Sequence, residues 1–337
     1  MTSALRIVAI VACLVLALGK GLARAENIKI GVVQTLAVGP VFVAEERGYF
    51  SAEGLTAELV YFDAAQPIAI AVASGDIDFG MTGMSAAFYN LAGQGVLRII
   101  AAGNREMPGF KNAGYLASNR AYAAGLNSLQ KLAGRSVAVT QIGSQLHYDL
   151  GLAVEKYHLD LAGIRVLALQ SNTNMSTALA GGQSDLGVFP VTPAMQLISR
   201  GDAKLLAWVG DEVPYGQPNT VFASVKTTND KQGVVERFLR ALRRGAKDYH
   251  DAFADAKERR RDGPTAPLLL ALLAKYTHQK PQDIQVAIPW LDANLRLDAA
   301  DVRHQIEWFR AQGQLKGEVR GSDIIDARYV VTLPGRD

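Results

Sequence analysis

Apolar positions in this chain fall into short runs, and their spacing predicts strands and helices in strict alternation. Ile28 to Gln34 is a run of mixed alternation and reads as a strand. Thr35 to Gly39 is a loop, and Pro40 fits the first turn of a helix that runs to about Arg47 and stops before Gly48. Leu55 to Phe62 is a second strand, and Ala64 to Ser74 a helix with Pro67 in its first turn. Gly75 suits the left-handed cap that closes that helix. Ile77 to Gly80 is short and apolar enough to be a buried strand, and Ser85 can cap a helix that begins at Ala86. Val96 to Ala102 is a further strand. Strands separated by single helices predict right-handed parallel crossovers.

The rhythm breaks at 104–112 (NREMPGFKN) and again at 211–218 (DEVPYGQP), both holding Pro and Gly. These breaks are the expected hinge. Between them the scheme repeats. Strands are expected at Gly114–Ala117, Ser136–Gln141, Ile164–Leu169, Leu186–Phe189 and Lys204–Val209. Helices are expected at Ser144–Tyr157, at Asn174–Ala180 and from Thr192. Asn219 to Val225 reads as a strand returning to the first lobe. From Lys231 onwards only helical patterns occur, expected to pack on lobe one.

The two halves also match residue by residue. AVASGDIDFGMTGMSAA (71–87) aligns with ALAGGQSDLGVFPVTPA (178–194) at an offset of 107 positions, the separation of Asp78 from Asp185. Gly75, Gly80 and Ala87 then meet Gly182, Gly187 and Ala194, and Ser85 meets Thr192, read as another capping hydroxyl. The same offset carries Gln34 onto Gln141. The fold class is therefore α/β: two βαβ lobes with a cleft between them and a helical C-terminal region. Ligands in open α/β sheets bind at the carboxyl ends of strands. The expected division is 1–25 a leader, 26–110 the first part of lobe one, 111–212 lobe two, and 213–337 the return of lobe one.

Residues 1–25 change the charge picture. Arg6, the apolar run from Ile7 to Gly19 and the small-x-small triplet Ala23-Arg24-Ala25 read as a secretory signal peptide cut after Ala25. A membrane span needs about 20 apolar residues, more than this run offers. The formal net charge of +3 is that of Arg6, Lys20 and Arg24, so the exported chain is neutral and carries no electrostatic argument for nucleic acid. Cys13, the one cysteine, leaves with the leader, which excludes disulfides and thiolate chemistry from the exported chain. The exported protein is expected to begin at Glu26, unlipidated. An intact mass carrying a diacylglyceryl-modified Cys13 would refute this.

Catalytic patterns are scarce. The histidines His147, His158, His250, His278 and His304 show no H-E-x-x-H or H-x-H spacing, so neither a metal nor a cofactor is expected. Ser144 lies near His147, but a Ser opening a helix serves more often as its cap. Asp78 and Asp185 lie at helix-to-strand turns and read as turn acceptors. What remains is a set of uncharged polar residues at expected strand ends: Gln34 and Thr35; Thr82, Gly83 and Ser85; Gln141, Gly143, Ser144 and Gln145; and Thr192. Phe189, Tyr148, Phe110 and Tyr115 are candidate walls. Free amides at helix starts suit an anion or a carbonyl.

Several stretches resemble a known family. They are IKIGVVQTLAVGPVFVAEERGYFSAEGL, VASGDIDFGMTG, LQKLAGRSVAVTQIGSQLHYDL, ALAGGQSDLGVF and YGQPNTVFASVKTTND. They resemble the periplasmic solute receptors for aliphatic sulfonates, taurine and nitrate, with the related thiamine-pyrimidine-precursor proteins. The resemblance covers about Ile28 to Phe253. It implies a type 2 periplasmic-binding fold and an ABC-transporter permease with its ATPase as partner. It also implies a monomeric periplasmic receptor for a small polar or anionic organic molecule. The family's ligand loops fall on Gln34-Thr35, Thr82-Gly83-Met84-Ser85, Gly143-Ser144-Gln145 and Pro190-Val191-Thr192, with Phe189 adjoining. Two alternatives stand: a receptor for a flat heterocycle such as a pyrimidine precursor, and an enzyme on this fold. The missing Cys and His clusters argue against the enzyme.

Overall fold

A computed structural model describes residues 25–334. In chain order the first lobe opens with strand β1 (Glu26–Val33), helix α1 (Gly39–Glu46), strand β2 (Leu55–Phe62), helix α2 (Ala65–Ser74), strand β3 (Phe79–Gly83), helix α3 (Ala86–Gly93) and strand β4 (Leu97–Ala102). After β5 (Asn104–Arg105) come β6 (Ala113–Ser118), β7 (Ser136–Val139), helix α4 (Gln145–Lys156), β8 (Arg165–Ala168), helix α5 (Asn172–Ala180), β9 (Leu186–Pro190), helix α6 (Val191–Ser199) and β10 (Ala203–Trp208). Strand β11 (Asn219–Ser224) follows, then helices α7 (Gln232–Phe253) and α8 (Ala266–Thr277), strand β12 (Trp290–Leu291) and helix α9 (Ala299–Ala311).

Ten of the strands form two sheets of one design, and β5 pairs apart with β12. The first runs β2-β1-β3-β11-β4, and the second, read from its far edge, β8-β7-β9-β6-β10. In each the first three strands are parallel and the fourth is antiparallel to its neighbours. That fourth strand, β11 or β6, is supplied by a segment that crosses between the sheets. The two crossing segments run side by side: Glu106 N–H donates to the Gly216 carbonyl at 2.9 Å, and Tyr215 N–H to the Glu106 carbonyl at 2.7 Å. Beside them Arg105 makes a buried ion pair with Asp298 at 2.6 Å.

The repeat extends to single hydrogen bonds. Asp78 Oδ2 accepts from the Lys29 amide at 2.9 Å, while the Asp78 amide donates to the Lys29 carbonyl at 3.0 Å. At the same offset, Asp185 Oδ2 accepts from the Ser136 amide at 2.9 Å, and its own amide donates to the Ser136 carbonyl at 3.1 Å. Each Asp thus clasps the middle one of the three parallel strands, β1 or β7, and sets the register of the strand that follows it. A carboxylate accepting backbone N–H bonds makes a strong, charge-assisted clamp.

Local chemistry sets the helix ends. Gly75 closes α2 at φ 86°, Ser85 Oγ accepts from the Phe88 amide to cap α3, and Ser144 Oγ accepts from the His147 amide to cap α4. Helix α7 turns Val235, Phe238, Leu239, Leu242, Ala246, Tyr249 and Phe253 inward, a 3.6-residue stripe. Phe238 stacks on Phe79 of β3 with ring centroids 3.9 Å apart, and Gly245 lets α7 approach the backbone of α1.

Four expectations are corrected. The strand expected over Ile77–Gly80 begins at Phe79 and runs to Gly83, because residues 76–78 are used by the turn and the Asp78 clamp; Thr82 and Gly83 therefore lie on a strand. Thr192 caps nothing: it sits inside α6, whose preceding Pro190 makes no side-chain cap. The C-terminal region is not purely helical, since β12 pairs with β5. Nor do its helices pack only on lobe one. The Trp308 ring of α9 fills the space over Gly151 of α4, where a Cβ would come within 2.3 Å of it.

Candidate functional site: a cleft between the sheets

The carboxyl ends of the parallel strands in both sheets converge on one cleft of about 620 Å³, part of it open to solvent. The first sheet contributes Val33 at the end of β1, Thr35 and Val38 after it, and Thr82 and Gly83 at the end of β3. The second contributes Thr140 after β7, Ser144, Gln145 and Asp149 from the start of α4, Asn172 from the start of α5, and Pro190 ending β9. The crossing segments add Asn112 and Asn219. A concave, mostly apolar pocket with a few placed polar groups is the usual form of a small-molecule site.

The lobes touch around this cleft. The Ala86 amide, first in α3, donates to the Gly143 carbonyl at 2.8 Å. Thr192 Oγ1 accepts from the Leu36 amide at 3.1 Å, and Gln66 donates to the Ile142 carbonyl at 3.1 Å. Tyr148 of α4 reaches His304 of α9, its hydroxyl 2.6 Å from Nδ1.

Of the residues expected at the site, Thr35, Thr82, Gly83, Ser144 and Gln145 line the cleft. The others do other work. Gln34 turns away and donates to the Tyr276 carbonyl at 2.7 Å. Met84 is fully buried, its sulfur 3.1 Å from the Tyr89 hydroxyl. Ser85 is the α3 cap, and Thr192 the lobe-to-lobe acceptor just described. Gly143, at φ 77°, donates its amide to His147 Nδ1 at 3.2 Å. Phe189 is buried in the hydrophobic core with 0% exposure and does not line the cleft. Tyr148 packs edge-on against Trp308, and Tyr115 donates to the Asp149 carbonyl. None of these aromatics, nor Phe110, walls the cleft. The α3 amide offered to an anion is consumed: Ala86 N–H already serves Gly143.

The electrostatics are acidic. Among the described residues, no Lys, Arg or His lines the cleft, whereas Asp149 does. Asp149 is 2% exposed; burial raises its carboxyl to about 7, with Asp301 nearby adding to the rise and the hydrogen bond from Gln145 opposing it. Gln145 Nε2 donates to Asp149 Oδ1 at 3.0 Å, and Asp149 Oδ2 has no partner. Behind it, Glu106 is driven well above the usual carboxylate range by burial and by the neighbouring Asp149 charge; Asn112 donates to its other oxygen at 2.6 Å. Burial pushes the His147 imidazole down to about 4. Among the described residues no cluster of His, Cys, Asp and Glu is arranged to hold a metal ion.

Sequence reading missed Asp149, Asn112, Asn172 and Asn219. Asp149 carried a usable signal, because Gln145 and Asp149 are four apart and share a face of α4. Asn112 and Asn219 lie where crossing segments enter sheets, which no local pattern marks.

Comparison with known proteins agrees with this architecture. A search of curated proteins found no match in sequence. Among solved structures, the alkanesulfonate-binding protein SsuA from Xanthomonas axonopodis pv. citri, bound to MOPS, superposes with a TM-score of 0.71 at 20% identity, covering 89% of this chain and 98% of that one. The periplasmic nitrate-binding protein NrtA from Synechocystis PCC 6803 gives 0.68 at 12% identity, covering 87% and 83%. The desulfurization enzyme DSZB gives 0.64 at 13%, covering 91% and 96%, so the architecture also carries catalysis. The fold is that of the type 2 periplasmic binding proteins. The NMT1/THI5-like family model matches residues 36–256, from the loop after the first strand into the region beyond α7, and the chain belongs to that family.

Proposed function

We propose that this protein is a periplasmic solute receptor. It closes its lobes, 26–110 with 213–337 and 111–212, over a small polar organic molecule and delivers it to an ABC-type membrane permease. The observation that carries the reading is the cleft itself. Thr82 from the end of β3 in one lobe and Ser144 and Gln145 from the start of α4 in the other line one space. A ligand that contacts both lobes only when they are together shifts the population towards closure, and that difference is what a permease can sense. Export fits the family resemblance; the proposed signal peptide lies outside the described residues. Among these, no helix is long and apolar enough to cross a membrane.

Two ligand classes follow from the resemblance, a sulfonate-, taurine- or nitrate-like anion and a pyrimidine-like heterocycle. The second is favoured by Asp149, a cleft carboxyl group that repels an anion when ionised. Native mass spectrometry of the purified protein, followed by a thermal-shift screen, tests the receptor reading, since a ligand raises stability by mass action. No copurifying molecule and no stabilising compound would refute it.

Thr82→Ala and Ser144→Ala are each expected to weaken the ligand found in this way about tenfold, the worth of one hydrogen bond. They differ in stability. Ser144→Ala also removes the α4 cap, costing about 1 kcal/mol, whereas Thr82 caps no helix. Titration calorimetry with unchanged affinity in both variants would remove these hydroxyls from the site.

A further inference from the structure

Three polar side-chain atoms of the cleft are left without a partner. Asp149 Oδ2, Gln145 Oε1 and Asn172 Oδ1 are buried, line the cavity and have no hydrogen-bond partner. The orientation of Gln145 follows from Asp149: its amide nitrogen donates to Oδ1, so its carbonyl oxygen is the atom left over. Asn112 is engaged on both sides, its nitrogen donating to Glu106 while its oxygen accepts from Asn104. The remaining polar side chains include the hydroxyls of Thr35, Thr82 and Ser144, which turn to suit either role. Buried polar atoms in native proteins are nearly always paired, so the two amide oxygens, and the Asp149 oxygen once ionised, describe the missing partner as a donor.

Resting on the receptor reading, we propose that the ligand carries an amine or amidine group, whose N–H donors dock on Asp149 and on the carbonyl oxygens of Gln145 and Asn172. A carboxylate beside two amide oxygens matches an N–H donor in charge and geometry and repels an anionic oxygen. Asp301 from α9 and Glu106 from the crossing segment lie near enough to interact electrostatically with Asp149, and the Tyr115 and Tyr148 hydroxyls near it stay neutral. Docking of a cation draws the Asp149 carboxyl into its ionised form, so below neutral pH binding releases a proton to solvent.

The test is titration calorimetry of the full exported chain with benzamidine and acetamidine, against propanesulfonate and nitrate, at pH 8 and pH 6. The expected result is saturable binding of at least one amidine and none of the anions. Binding should weaken at least tenfold in Asp149→Asn, and close to one proton should be released per ligand at pH 6, read from buffers of different ionisation enthalpy. Binding of propanesulfonate or nitrate in place of an amidine overturns the donor assignment and leaves the receptor reading standing. Amidine binding that survives Asp149→Asn also overturns it, as does the failure of both amidines. Only the wider screen's finding no ligand removes the receptor reading itself. Melting curves of Asp149→Asn must show the parent's cooperativity; if they do not, Gln145→Glu replaces it, with tighter amidine binding expected and unchanged or weaker binding overturning the proposal.

Discussion

Asp149→Asn is expected to change the pH dependence of stability by roughly 4 kcal/mol between pH 4 and pH 7.5, the worth of a shift of about three pKa units. The folded carboxyl titrates at about 7, against an ordinary value of 3.8. Between those values the native state holds a proton that the unfolded chain has released. Stability from this group is therefore full below about pH 4 and is lost as pH rises through 7. Glu106 and Asp301, both raised by burial, add losses of the same sign. His147 opposes them. Its folded value is about 4 against 6.5, so the unfolded chain binds the extra proton and stability rises across pH 4 to 6.5. The parent profile is a difference of these contributions, and the variants separate them. Denaturant unfolding at several pH values should show Asp149→Asn gaining on the parent as pH rises. His147→Asn should lose stability more steeply than the parent across pH 4 to 6.5. A constant gap between Asp149→Asn and the parent at every pH would mean that Asp149 is not buried in this way.

Gly245→Val is expected to destabilise the protein by about 3 kcal/mol or more, within and above the range for overpacking a tight contact. In α7 a Cβ at this position would lie 2.4 Å from the Pro40 carbonyl oxygen and 3.0 Å from Ala44, both on α1. The obstacle is backbone, so no side chain can swing aside and the helices must separate. That separation would draw α7 from β3 and loosen the stack of Phe238 on Phe79. A loss of 3 kcal/mol lowers the melting temperature of a protein of this size by roughly 5 °C. Gly233→Ala in the same helix is the control. Nothing lies within 4 Å of its Cβ, and Ala exceeds Gly in helix propensity by up to about 1 kcal/mol. Thermal melts in which Gly245→Val matches the parent would show that α1 and α7 do not meet at this glycine.

The sequence by itself determined what short-range chemistry determines. Gly75, Ser85 and Ser144 end or start helices where a left-handed turn or a capping oxygen is needed, because each acts within four residues. The duplication was legible for the same reason: the Asp78 and Asp185 clamps recur with the turns that hold them. So was the return of Asn219–Ser224 to the first sheet, marked by a break and an apolar run. Tertiary structure alone decided which side each polar group faces. A two-residue shift in the start of β3 moved Thr82 and Gly83 onto a strand. Thr192, the echo of Ser85, became a bond between lobes because Pro190 precedes its helix and the Leu36 amide lies across the cleft. Phe189 went to the core and Asp149 to the cleft. Burial of a carboxyl depends on everything packed around it, here Glu106, Asp301 and Tyr115 from three distant segments. No periodicity along one segment records that, and the charge character of the cleft exists only once the two sheets face each other.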